Sequence, residues 1–129
     1  MNAVPLIGRL LFALIFVMSS FNDFSSATIG YAASQGVPMA NLLVPLSGVL
    51  ALVGGLSLIL GFKARIGAVL LILFLIPVSV MMHAFWKETD PQAHQMQMIQ
   101  FMKNLSMLGG ALMIAYFGSG PLSVDRAGK

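Results

Sequence analysis

The chain has 129 residues, of which 58% are hydrophobic and 9% charged, and its formal net charge is +3. Soluble domains carry about 25% charged residues and need a polar shell, so a mean hydropathy of +0.92 places this chain in a membrane. It has no cysteine, which excludes disulfides, CxxC redox chemistry, thiolate-held iron–sulfur clusters and c-type haem attachment. The seven basic residues are scattered; this speaks for membrane topology and against a nucleic-acid partner.

Four segments approach the ~20 apolar residues needed to cross a bilayer. The first covers about 4–21 and holds one charge, Arg9. Residues 22–40 form a Ser/Ala/Gly-rich link with room for a short helix over 29–35. The second segment, about 41–60, has no charge and carries Pro45 in its first turn, where proline is tolerated. A tight basic turn (residues 61–65) leads into the third segment, about 66–86, also uncharged. Pro77 removes a backbone bond there and predicts a kink near Leu73–Pro77. Asp90-Pro91 reads as an N-cap followed by proline at the first helical position. The helix it opens runs to residue 117, with the membrane part at about 97–117. Its beginning (Gln92, His94, Gln95, Gln97, Gln100) is polar, as expected outside the hydrocarbon or against a wet interior.

A span must satisfy its own backbone hydrogen bonds, and these runs lack strand alternation. The expected fold is therefore all-α: one transmembrane domain forming an antiparallel four-helix bundle with membrane lipids around it. With both termini inside, Arg9, Lys63, Arg65, Arg126 and Lys129 flank the inner face, against Lys87 and Lys103 outside. That bias predicts an N-in, C-in orientation. The first segment also has the form of a signal peptide, with Ser25-Ser26-Ala27 as a weak processing site.

Polar residues in or beside spans are costly and mark candidate sites. Antiparallel packing brings Asn22, Asp23, His83, Lys103 and Asn104 to the outer end, with His83 one turn from the end of the third segment. A pocket there would use His83 to relay protons or to hydrogen-bond a quinone carbonyl, with Asp23 as counter-ion. The bland alternative has Lys103 snorkelling and His83 and Asn104 bonding between helices. His94 reads as structural. Two histidines without ligand spacing specify no metal or haem. At the inner end, a folded-back tail would pair Asp125 with Arg9. Ser47, Ala51 and Gly55, like Ser106 and Gly110, are spaced by four and read as helix contacts. The 10 methionines read as adaptable packing rather than a copper site.

Several motifs recur in a recognisable order. Gly8-Arg9-Leu10-Leu11 opens the first segment, and Gly36-Val37-Pro38 precedes the second. Leu60-Gly61-Phe62-Lys63-Ala64-Arg65, His83-Ala84-Phe85-Trp86 and Lys103-Asn104-Leu105 follow, and the tail ends in Ser123-Val124-Asp125. Over nearly the whole chain this resembles the DoxX family of small bacterial inner-membrane proteins. The resemblance implies a multi-pass, four-helix protein of the bacterial inner membrane, related to the DoxD subunit of thiosulfate:quinone oxidoreductase. Arg9, His83, Lys103, Asn104 and Asp125 match the family pattern. Asn22 stands where many members have Lys, and Ala51 where many have Glu; the missing carboxylate removes any chemistry that depends on it.

The leading functional reading is a quinone-facing or membrane-anchoring component of a redox system. A soluble or peripheral partner protein would supply the electrons, because no thiol centre exists. Whether the chain is itself an enzyme stays open. A small-solute or lipid binding and transport protein is a second reading, in which a homo-oligomer would extend a small bundle. An assembly factor for a membrane complex is a third.

Overall fold

The computed structural model describes residues 3–127. In chain order it contains α1 (Ala3–Ser20), a 3-10 turn (Phe21–Phe24), α2 (Ser26–Ser34), α3 (Ala40–Leu60), α4 (Ala64–Met82), a second 3-10 turn (Phe85–Lys87), α5 (Pro91–Phe117) and α6 (Val124–Ala127). Four stretches are long and apolar enough to cross a membrane: Ala3–Phe24, Ala40–Leu60, Ala64–Lys87 and Pro91–Phe117. Lys129 and the Arg126 side chain, both counted above on the basic flank, lie outside the described residues.

Local chemistry sets the helix starts. Ser25 Oγ accepts the Thr28 N–H at 3.2 Å, so the short helix in the link begins at Ser26, ahead of its expected start. Asp90 accepts the Ala93 N–H at 3.0 Å, and Pro91 follows at the first helical position, as the sequence predicts. From there α5 runs 27 residues, about 40 Å at 1.5 Å per residue.

The third segment departs from expectation. Its helix stops at Met82, and His83 sits beyond it with φ −124° and ψ 44°. Phe85 and Trp86 turn back onto α5, where both meet Phe101 edge-on at 5.4 and 5.7 Å between ring centres. Phe85 also meets His94 edge-on at 5.4 Å. Such ring contacts add to area burial. Two adjacent side chains of a continuing helix point about 100° apart and do not reach one ring together.

The long helices pack in the order α1 on α3, α3 on α4 and α4 on α5. The last side closes through Phe12 of α1, which lies over Gly110 of α5. Glycines stand where backbones approach. A Cβ on Gly54 would lie 2.8 Å from Leu71 and 2.9 Å from the Gly67 carbonyl, and one on Gly55 would lie 2.7 Å from Val17. The core beneath them comprises Ala13, Phe16, Ala51, Leu58, Ala64, Leu71 and Leu75. Of the small residues singled out above, Ala51, Gly55 and Gly110 pack between helices, whereas Ser47 lines a cavity and Ser106 is exposed. Leu11, Ile66, Leu73 and Leu112 each leave more than half of their surface outward, as lipid-facing positions do.

The bundle end that carries Arg9 is closed by polar bonds. Arg9 is 4% exposed. Its Nη1 donates to the Leu58 carbonyl at 3.0 Å, and its Nη2 donates to the Leu122 carbonyl at 2.7 Å. One guanidinium thus joins α1, the end of α3 and the folded-back tail. Asp125 accepts the N–H groups of Lys63 (2.7 Å) and Ala64 (3.3 Å) at the start of α4, and the Ser119 hydroxyl. A carboxylate at a helix N-terminus meets unpaired donors and the positive end of the dipole. Lys63 and Leu122 are left-handed (φ 49° and 54°), and each has a backbone group in this network. Gly61 (φ 69°) has no room for a side chain, since a Cβ would collide with Arg9 and Ser123.

Two predictions follow from this packing. Gly54→Ala pushes on a backbone carbonyl and should destabilise the protein by about 2 kcal/mol in thermal unfolding in detergent. Gly109→Ala meets nothing within 4 Å and should not. The second concerns charge. Arg9 and Asp125 also attract one another across this network, so the double reversal Arg9→Asp/Asp125→Arg should restore part of the stability lost in the single variants. Independent, additive losses with no recovery of the melting temperature in the double variant would contradict this account.

Candidate functional site

At the opposite end, where His83 lies, the bundle encloses a cavity of about 580 Å³. Most of its wall is apolar, including Phe16, Leu50, Leu75, Met82 and Met107. All five polar residues singled out at this end, Asn22, Asp23, His83, Lys103 and Asn104, line it. Ser19, Thr28 and Ser47 add hydroxyls.

The five arrive from three parts of the chain. Asn22 and Asp23 lie on the 3-10 turn that ends α1. Asp23 sits against α3 at Gly48, where a Cβ would be 2.9 Å from its own. The turn packs that closely because position 48 has no side chain. Asp23 Oδ2 is buried with no hydrogen-bond partner among the described residues. Lys103 and Asn104 come from the middle of α5. Lys103 is exposed at the rim, and Asn104 is 5% exposed. The Asn104 amide makes no hydrogen bond to protein among the described residues, although it faces the cavity. The residue is buried while its amide opens onto the cavity, so Asn104 can meet a polar group there.

His83 follows the end of α4 and is held from outside the cavity. Its Nδ1 lies 2.9 Å from Gln97 Oε1 on α5. Gln97 Nε2 in turn donates to the Tyr31 hydroxyl on α2 at 3.1 Å. Tyr31 and Gln97 were not among the residues singled out from the sequence. Gln97 had a signal: it precedes Asn104 by seven residues, two helical turns, and so shares its face. Tyr31 had none, because the link around it shows no periodicity. His94 takes no part in the cavity and packs on Phe85. Arg9 and Asp125 belong to the other end. Among the described residues no three His, Asp or Glu side chains come together as a metal cluster.

A bundle of four apolar helices around a cavity lined in part by polar side chains defines a small integral membrane protein. The DoxX family model matches residues 4–84, and the chain belongs to the DoxX family. That match holds Asn22, Asp23 and His83, while Lys103 and Asn104 lie beyond it. The chain is 35% identical to Inner membrane protein YphA of Escherichia coli (strain K12) over 123 residues, 94% of this chain and 87% of that protein. It is 29% identical to Inner membrane protein YqjF of the same organism over 123 residues, 94% of this chain and 88% of that one. A shorter similarity, 28% over 81 residues, links it to ER-derived vesicles protein ERV29 of Saccharomyces cerevisiae (strain ATCC 204508 / S288c), covering 63% of this chain and 26% of that protein. No solved structure matches the chain. The four spans and these relatives make it a multi-pass inner-membrane protein.

Asn104 provides a test of the site independent of any ligand. Asn104→Leu removes an amide that opens onto the cavity and makes no hydrogen bond to protein among the described residues. It should change the stability of the ligand-free protein by no more than about 0.5 kcal/mol, seen as an unshifted melting temperature. A core asparagine with a purely structural bond would instead lose stability on the same change.

Proposed function

We propose that the cavity binds the headgroup of a membrane quinone and that the protein is the membrane component of a redox system. The carrying observation is the cavity's composition: an apolar volume of about 580 Å³ with Asn104 buried and unpaired on its wall, beside Asp23, His83 and Lys103. Pockets for small molecules span about 300–1,000 Å³ and are mostly apolar with a few placed polar groups. A quinone ring with the start of its tail suits such a volume. Its carbonyl oxygens accept from the Asn104 amide and the Lys103 ammonium, and its tail continues among the apolar residues.

The chemistry balances with a partner. Quinone plus two electrons and two protons gives quinol. The electrons pass between the quinone and a peripheral or soluble protein that carries a flavin or metal centre. Protons exchange with water at the His83 end. The balance of Lys and Arg in the sequence supports an orientation with that end outside and the Arg9 end in the cytoplasm.

The measurement is a titration of the purified protein in lipid nanodiscs with decylubiquinone. At a hundredfold excess over the dissociation constant, binding should stabilise the fold by about 2.7 kcal/mol. Asn104→Leu and Lys103→Met should each weaken binding about tenfold, and Gly109→Ala should leave it unchanged. Absence of binding, together with uptake of a solute into proteoliposomes without any redox partner, would replace this reading with transport.

A further inference from the structure

We infer that Gln97 and Tyr31 set the hydrogen-bonding polarity of the cavity, so that it takes the hydroxyl-bearing, reduced form of its ligand in preference to the oxidised form. The inference rests on the quinone reading of the cavity. Three elements distant in sequence meet in one chain of bonds: Tyr31 on α2, Gln97 near the start of α5, and His83 between α4 and α5. The Gln97 amide donates from Nε2 to the Tyr31 hydroxyl at 3.1 Å. With Nε2 on the hydroxyl, Oε1 faces His83, 2.9 Å from Nδ1. An amide oxygen only accepts, so Nδ1 carries the proton of the neutral ring. The other ring nitrogen, Nε2, then holds a lone pair.

His83 lines the cavity, and its Nε2 has no hydrogen-bond partner among the described residues. The histidine therefore offers the ligand an acceptor. Asp23 lines the same cavity and offers another, because a carboxyl group keeps an acceptor oxygen in either protonation state. The two acceptors complement the two hydroxyl groups of a hydroquinone. A quinone brings only carbonyl oxygens, which set lone pair against lone pair at both positions. Asn104 serves either form, since its amide both donates and accepts. A site that presents such groups rejects the analogue lacking their partner more strongly than an apolar pocket can. Gln97 touches His83 rather than the ligand and is a positioning residue. Tyr31 acts one bond further out.

The experiment compares decylubiquinol, handled anaerobically, with decylubiquinone on the same protein in nanodiscs. Wild type should bind the quinol about tenfold more tightly. Gln97→Leu leaves the ring free to carry its proton on either nitrogen. The ratio should then fall toward unity while quinone affinity holds or improves, an effect that loss of structure would not produce. Tyr31→Phe should fall between the two. Nitrogen-15 spectra of histidine-labelled protein report the tautomer directly, with His94→Gln to separate the two rings; His83 should carry its proton on Nδ1. Equal affinity for the two forms, tighter quinone binding, or a proton on Nε2 overturns the inference and leaves the quinone reading standing. Binding of neither form overturns both. An unchanged ratio in Gln97→Leu overturns the assigned role of Gln97.

Discussion

A guanidinium held at 4% exposure is the constraint around which this bundle is organised. Arg9 keeps its charge in any setting a protein provides, so the fold has to supply acceptors for its donors, although Nε is buried without one among the described residues. The carbonyls of Leu58 and Leu122 meet two of them. To do so, α3 has to end beside α1, and the tail has to fold back under both. The left-handed turns at Gly61, Lys63 and Leu122 bring the chain into that arrangement. Asp125 completes it by capping the start of α4. The result is a bundle sealed at one end.

The seal shapes the rest. The glycine contacts that draw the helices together, at Gly54, Gly55, Gly67 and Gly110, cluster toward the Arg9 end. Below the cavity the core is continuous, from Leu75 and Phe16 through Ala51 to Leu58 and Ala64. The cavity is therefore a pocket with a floor rather than a channel. In the other half, larger side chains and the 3-10 turn after α1 hold the helices around open space, and polar residues placed there face each other across it. Membrane helices gain little from burying apolar groups against one another, since lipid is equally apolar. Close backbone approach between the long helices decides where the bundle is tight, and it is concentrated at the Arg9 end.

Much of the site was legible because charge and polarity are conspicuous in apolar spans. Asn22, Asp23, His83, Lys103 and Asn104 could be grouped from depth and antiparallel order alone, and one cavity receives all five. The reading failed where the determining contact was between side chains. The end of α4 at Met82 depends on Phe85 and Trp86 finding Phe101, and hydropathy treats those rings as more of the same span. Tyr31 stayed hidden for a similar reason. Its role depends on α2 lying beside the start of α5, and nothing local to residues 22–40 records that.

The sequence by itself determined a four-span helical membrane protein, the helix start at Asp90, and a polar group at one end. Those properties are local: transfer free energy sums along the chain, and a cap bonds within three residues. Only the tertiary structure decided that Arg9 and Asp125 each serve backbone groups of α3, α4 and the tail. It alone brought Gln97 and Tyr31 to His83 and left the Asn104 amide unpaired against open space. A hydrogen bond needs its partner at about 3 Å and correctly aimed, and that condition is met only after the helices have packed.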